Sequence, residues 1–460
     1  MLRRDWLSLT GLSGLAFMAA ALRQRSGSAA SGSQGPGFGK AKSVLLVVAS
    51  GGQSQLETWD PRPDAPREIR GEFGTIQTSV PGTILGEHLP RVAKLANRFA
   101  IVKSMSHDDF DHGSALYLTL TGQYHQRMSS NPPPRPIDHP YFGSVLEQIR
   151  PRSPFLRTSV LVNGPALLPF EVGPGQYGGL LGRRFDPLFI GDVTTELPAL
   201  PGLDRQDELD SRRRATRRQL LNALEVATPT AQSAVDMRTL YQQAYEMLDR
   251  PAAQTALDLN AESAAVRDRY GRHRPGQACL LARRLVEAEV PLVTVMWNHS
   301  NRGQDKYPDD PEQFGWDTHN DIFDVLGKSL LPRFDQSFSA LLEDLHQRGL
   351  LASTLVICLG EFGRAPLVAL ESRFAGASPG RKHWASAYSI VFAGAGVREG
   401  SIVGATDRQA AYPISQKYGP WDVIATIFHA LGIDPEGHFF DSSNRPYPIT
   451  SGQPITALYS

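Results

Sequence analysis

Three short stretches in the last third of the chain concentrate side chains able to hold a divalent cation. Trp316-Asp317-Thr318-His319 offers a carboxylate and an imidazole two positions apart. Gly360-Glu361-Phe362-Gly363-Arg364 follows the apolar run Thr354–Leu359, and Arg381-Lys382-His383-Trp384 adds a second imidazole in a polar loop. Mixed carboxylate and imidazole sets suit zinc, manganese or iron. Asp317 and His319 can converge on one ion in an extended or turning segment, whereas on a regular helix they diverge. Alone, Asp-x-His reads more readily as a helix-capping aspartate followed by a surface histidine.

A second concentration is His107-Asp108-Asp109-Phe110-Asp111-His112-Gly113-Ser114. It follows an apolar run and precedes a helical pattern. A solvated acidic loop is the plain reading, and two histidines at the carboxyl end of a strand weigh equally for a site. Ser114 has no base beside it in sequence, so an independent Ser/His/Asp triad is not supported.

The elements that must position these residues are legible as buried runs. Val44–Ala49, Phe99–Met105, Val290–Met296, Thr354–Leu359 and Ser389–Ala393 are short and apolar, the pattern of strands covered on both faces. Helical patterns fall at Leu89–Leu95, Leu116–Leu120 (stopping at Thr121-Gly122), Ala278–Glu289, Phe323–Arg348 and Trp421–Leu431. Strands alternating with helices predict an α/β fold, three layers around a mostly parallel sheet. Ligands in such folds bind at the carboxyl edge of the sheet, where Glu361 falls. Residues 126–200 are Pro- and Gly-rich, with short strand-like runs such as Ser159–Val162, and read as irregular loop and small sheet; 207–266 read as helical, so an insertion of about 126–275 is expected.

At 460 residues the chain can bury a large core. Its 47 basic and 47 acidic side chains cancel, so its charge balance points to neither nucleic acid nor anionic membranes as partners. Arg212-Arg213-Arg214 and Arg217-Arg218 read as the solvated face of a helix. Cys279 and Cys358, the two cysteines, sit in apolar runs and read as buried thiols. Arg3-Arg4 precedes the apolar stretch Leu9–Leu22, and Ser26–Lys40 is a Ser/Gly/Ala tract. An apolar run of about 14 residues is short for a bilayer span, which needs roughly 20. This start reads as a Tat-type twin-arginine export signal over 1–42, with a linker. The expected product is an exported domain, 43–460, in the periplasm or cell envelope, with no permanent span once the signal is removed.

The motifs Gly51-Gly52-Gln53-Ser54-Gln55-Leu56, Leu281–Glu287, Gly315–His319, Thr354-Leu355-Val356 through Arg364, Gly404–Asp407 and Ala425–Gly432 together resemble one family. It is the bacterial domain of unknown function 1501 family, within the alkaline-phosphatase and sulfatase-like superfamily. The resemblance covers about 43–457 and implies an alkaline-phosphatase-like αβα domain. It implies that Asp317, His319 and His383 look like the ligands of one metal, with Glu361 as a further ligand. The places of the second metal and nucleophile look like Ser50, His112, Glu361 and Phe362. The match of His112 to the nucleophile rests on its distance from Thr121-Gly122. Phe362 cannot ligate and Ser50 is a poor ligand, so the clamp of two-metal chemistry is expected to be incomplete. Lys382 and Ala365 also depart from the family pattern.

The expectation is a metal-dependent hydrolase of phosphate or sulfate esters with a one-metal site. Zinc is the expected ion, with manganese, iron and calcium as alternatives. His112, Glu361 and Arg364 are the catalytic candidates. His112 is read as nucleophile, fourth ligand or acid/base, Glu361 as ligand or acid/base, and Arg364 as an oxyanion clamp. Ser54, His107 and Lys382 are the substrate-binding candidates. The expected partner is a small anionic ester or a sulfated or phosphorylated glycan. The alternative is a catalytically degenerate member that binds an anionic ligand, glycan or partner protein.

Overall fold

The computed structural model describes residues 35–150, 157–168, 171–194, 255–303 and 310–460, with five further positions between 212 and 220. Residues 1–34 of the expected export signal and linker, and nearly all of 207–254, lie outside the described residues.

Eight strands form the central sheet: β1 (Ser43–Val48), β2 (Phe99–Met105), β3 (Ser159–Val162), β4 (Leu188–Ile190), β5 (Leu292–Met296), β6 (Thr354–Leu359), β7 (Tyr388–Ala393) and β8 (Ile402–Val403). Their spatial order is β8-β2-β7-β6-β1-β5-β3-β4. Every pairing is parallel except those of β7, which runs antiparallel to both β2 and β6. The sheet is therefore mostly parallel, as the alternation of strand and helix predicts.

Alternation along β1 shows why its sequence is apolar throughout. Val44, Leu46 and Val48 face one layer, and Leu45, Val47 and Ala49 the other. Among the described residues, the helices of eight or more residues are α1 (His112–Thr121), α2 (Phe142–Ile149), α3 (Arg274–Glu287), α4 (Leu331–Gln347) and α5 (Pro420–Ala430). Leu281 and Leu285 of α3 and Phe334 and Phe338 of α4 share a core with Leu45 and Val47. Leu116 of α1, Phe142 of α2 and Ile424 and Phe428 of α5 pack with Val44 and Leu46. Two helical layers thus enclose the sheet, and its central strands are buried on both faces.

The segment expected as loop and small sheet differs from that reading. Residues 126–194 hold α2, and β3 and β4 extend the central sheet beyond β5. These strands are four and three residues long and are flanked by glycine and proline, too short for periodicity to reveal their sheet. The long helix expected from Phe323 is interrupted by a π turn at Leu326–Leu330 before α4 begins.

Candidate metal centre

The carboxyl ends of β1, β2 and β6 deliver the first parts of the site. Glu361 stands two residues beyond β6, and its Oε1 accepts from the Gly51 N–H at 2.8 Å in the turn after β1. Gly51 has φ +114°, and a Cβ there would collide with the backbone of Asn301, Trp316 and Asp317. A glycine lets that turn press against the segment carrying Asp317. Asp317 N–H donates to Asn301 O at 2.9 Å, and residues 317–319 are not helical. Beyond β2, Asp111 caps α1 by accepting from His112 N–H at 2.8 Å, which starts the helix at His112. A two-stranded ribbon pairs Gly363–Arg364 with His383–Trp384 and sets His383 opposite Arg364.

Four side chains converge on one oxygen. Asp317 Oδ1 lies 3.2 Å from His112 Nε2, 3.1 Å from His319 Nε2, 3.3 Å from His383 Nε2 and 2.8 Å from Arg364 Nη2. His319 Nε2 and His383 Nε2 are 2.9 Å apart. One ligand atom each from His112, Asp317 and His383 fall within 4.8 Å of one another, a group able to hold a metal ion. The outer nitrogens of two rings are fixed: His112 Nδ1 is 2.6 Å from Glu361 Oε1, and His383 Nδ1 is 2.6 Å from Phe110 O. An oxygen partner on Nδ1 turns Nε2 inward as the available lone pair, the usual support of a metal-binding histidine.

The electrostatics divide the group. Burial opposes charge on His112, but the Asp317 and Glu361 carboxylates outweigh it and raise its pKa to about 9. His383 is pushed down to about 4 by burial and by His112, and burial also lowers His319. Burial opposes ionisation of Asp317 as well, yet His112 and Arg364 hold it well below the usual carboxylate range. A proton on His112 thus occupies the position of positive charge that a cation would fill. His383, neutral and with hydrogen on Nδ1, aims a bare Nε2 at the Asp317 oxygen. Two electron-rich atoms at 3.3 Å repel unless a positive charge lies between them. Glu361 Oε2 is also buried without a hydrogen-bond partner. The donor set fits a divalent ion on these grounds.

The remaining candidates lie around this group in different ways. Arg364 is fully buried, and its guanidinium donates to Gly52 O at 3.1 Å, Arg381 O at 3.2 Å, Gly51 O and Asp317. That leaves it bracing the centre from behind. Ser54 is buried and donates to Glu57, which in turn pairs with Arg381 at 2.6 Å. His107 is also buried; its Nε2 lies 2.7 Å from Glu361 O, and its Nδ1 accepts from Asp109 N–H at 3.1 Å. Ser54 and His107 are therefore engaged with protein groups and are not brought to the cluster of nitrogens. The Lys382 side chain is 63% exposed and reaches Glu371 Oε1 at 3.4 Å. Ser50 Oγ is buried without a partner, and the Phe362 ring packs 4.9 Å from both the His112 and His383 rings.

Three contributors had no sequence signal: the Phe110 carbonyl, Glu371 and Phe374. Glu371 Oε2 lies 3.9 Å from His319 Nδ1, and Phe374 stacks on the His319 ring at 3.8 Å. A backbone oxygen carries no residue-type mark, and 371 and 374 sit in a loop without periodicity.

The molecule is thus a three-layer α/β protein with a carboxylate and imidazole centre at the carboxyl edge of its sheet. The chain belongs to the family described as protein of unknown function (DUF1501), whose model matches residues 41–459. No curated protein sequence matches it. Among solved structures it is similar to a sulfatase from Pseudoalteromonas sp., with 13% identity, TM-score 0.41, and coverage of 93% of this chain and 72% of that one. It is also similar to a phosphonate monoester hydrolase from Silicibacter pomeroyi, with 12% identity, TM-score 0.40, and coverage of 91% and 76%. A third is alkaline phosphatase from the Antarctic bacterium TAB5, with 12% identity, TM-score 0.37, and coverage of 81% and 96%. Among the described residues no helix is long and apolar enough to cross a membrane.

Proposed function

We propose that this protein is a metal-dependent hydrolase of phosphate or sulfate esters, built on one cation held by His112, Asp317 and His383, with His319 beside them. The observation that carries the reading is the convergence of three imidazole Nε2 atoms on Asp317 Oδ1, two of them with Nδ1 anchored to oxygen. Zinc suits this nitrogen-rich set best; manganese, iron and calcium are the other ions to test. When bound, the ion supplies Lewis acidity at the reacting oxygen. The chain's residues do the rest. Glu361 orients His112, Arg364 orients Asp317, and the Phe362 ring fills the space beside the two histidines so that a second ion finds no ligand there. His112 is a ligand in this scheme, with water as the attacking group. Lys382 is the exposed cation through which an anionic ester or a sulfated or phosphorylated glycan would be drawn in. The Arg3-Arg4 start supports export to the periplasm or envelope.

The experiment is a panel of aryl phosphates and sulfates offered to the full chain loaded separately with zinc, manganese, iron and calcium, beside His383→Ala. Turnover by wild type that the variant lacks is expected. Background rates for both in every metal form would overturn the proposal. Phe362 and the unpartnered Ser50 hydroxyl favour a second reading, in which the centre binds an anionic ligand, glycan or partner protein without turnover. Tight ligand binding that survives His112→Ala, with no turnover by wild type, would support it.

A further inference from the structure

The three imidazoles are not held alike. His112 and His383 have their outer nitrogens bonded to oxygen, whereas His319 Nδ1 is buried without a hydrogen-bond partner. Glu371 Oε2 is 3.9 Å from it, beyond hydrogen-bond distance. Both partners are fixed in place. The His319 ring stacks on Phe374 with planes 4° apart. The Glu371 backbone is braced by Asn320, whose Oδ1 accepts from its N–H at 2.8 Å and whose Nδ2 donates to its carbonyl at 2.9 Å. The Glu371 side chain is buried, and the cations near it belong to exposed side chains, Lys382 at 3.4 Å and Arg373 at 3.6 Å.

Hydrogen placement accounts for the gap. Phe110 O can only accept, so the hydrogen of neutral His383 is on Nδ1 and its Nε2 is a bare lone pair. His319 Nε2, 2.9 Å away, must therefore carry a hydrogen and donate to it. A neutral imidazole has a single N–H, so His319 Nδ1 is bare as well. A bare Nδ1 offers the Glu371 carboxylate no hydrogen, consistent with the 3.9 Å between them.

We infer that Glu371 is a positioning residue for His319: in the cation-loaded protein His319 Nε2 joins His112, Asp317 and His383 as a further ligand, and the ring's hydrogen moves to Nδ1 and is donated to the Glu371 carboxylate. This rests on the metal-binding reading above. The ring keeps one hydrogen throughout; a proton leaves Nε2 to solvent and another is taken up at Nδ1. The gap closes to a charge-assisted hydrogen bond, about 2.8 Å long. Each of the three histidines then has its outer nitrogen on an oxygen, Glu361, Phe110 and Glu371 respectively. Such partners orient the ring and raise the basicity of the inward nitrogen, and losing one typically weakens metal binding about 10- to 100-fold.

The test measures zinc affinity of the full chain by chelator competition, in wild type, Glu371→Gln and Glu371→Ala. Histidine-selective nitrogen NMR of the wild type, with and without zinc, follows the tautomer of His319, assigned by its loss in His319→Gln. Glu371→Ala should bind zinc about 10- to 100-fold more weakly. Glu371→Gln, whose amide oxygen still accepts from Nδ1, should recover most of that loss. The His319 signal should change from the Nε2–H to the Nδ1–H form on zinc addition. Unchanged affinity in Glu371→Ala, or a tautomer that does not move, overturns the inference and leaves the metal centre standing. Should Glu371→Ala fail to fold, the wild-type tautomer reading decides alone. Absence of zinc binding by the wild type overturns both the inference and the centre.

Discussion

Two buried aspartates near the end of β1 show what distinguishes a structural carboxylate from a candidate site. Asp60 accepts from Arg62 Nη1 at 2.7 Å and Nη2 at 2.9 Å, from Lys103 Nζ at 2.9 Å and from the Thr406 hydroxyl. Every neighbour of its oxygens is a donor, so the charge is fully answered within the protein. Asp317 is also buried, but of the groups around its Oδ1 only Arg364 is a permanent cation: His112 answers it through a proton that can leave, and the inward nitrogen of His383 carries no hydrogen. A carboxylate ringed by permanent donors is complete; one that shares its oxygen with a bare nitrogen and a removable proton on His112 leaves a place for a cation. The difference lies in hydrogens and charge, since both groups are buried and both touch arginine.

This contrast can be broken or sharpened by substitution. The largest effect is expected at Asp60: Asp60→Asn leaves Arg62 and Lys103, both mostly buried, without their counter-charge, and should cost about 3 kcal/mol of stability in denaturant unfolding. It should leave metal content unchanged. A loss of metal there would mean that the two aspartates are not independent. Next comes the metal itself, which at 100-fold above its Kd should add about 2.7 kcal/mol to wild type. Thermal unfolding should show no such gain in His383→Ala. Because His112, raised to about 9, must give up its proton before Nε2 can ligate, that gain should grow as pH rises toward 9 and vanish in acid. A gain that is flat with pH would remove His112 from the ligand set. The smallest effect is expected at Lys382, whose side chain is 63% exposed: Lys382→Ala should shift stability by less than about 0.5 kcal/mol. Its metal content should match wild type.

Much of the scaffold was legible because burial on both faces leaves a mark in sequence. β1, β2 and β6 are unbroken apolar runs, and Glu361 stands out as the charge that follows one of them. Gly122, left-handed at φ +70°, marks the end of α1 as expected. β3 reads in sequence as the strand-like run Ser159–Val162, but neither it nor β4 is legible as part of the central sheet, because three or four residues between glycines and prolines carry no period. The direction of β7 is equally silent: an apolar run reads the same in both orientations. At the centre, Asp317, His319 and His383 were singled out by residue type, and the structure brings their inward nitrogens and oxygen together. His112, about 200 residues away in sequence, is expected at the centre only through the family resemblance, and the fold brings its Nε2 to 3.2 Å from Asp317 Oδ1. Glu371 and the Phe110 carbonyl act through distances of a few ångströms, and nothing in their sequence neighbourhoods marks such contacts.

The measurement that tests the central claim most directly is anomalous diffraction from crystals of the full chain grown with zinc. One strong peak is expected about 2.0–2.2 Å from the His112 and His383 Nε2 atoms and from an Asp317 oxygen, absent in His383→Ala. A wild-type map with no peak among these residues, or a peak there that persists in His383→Ala, would contradict that claim.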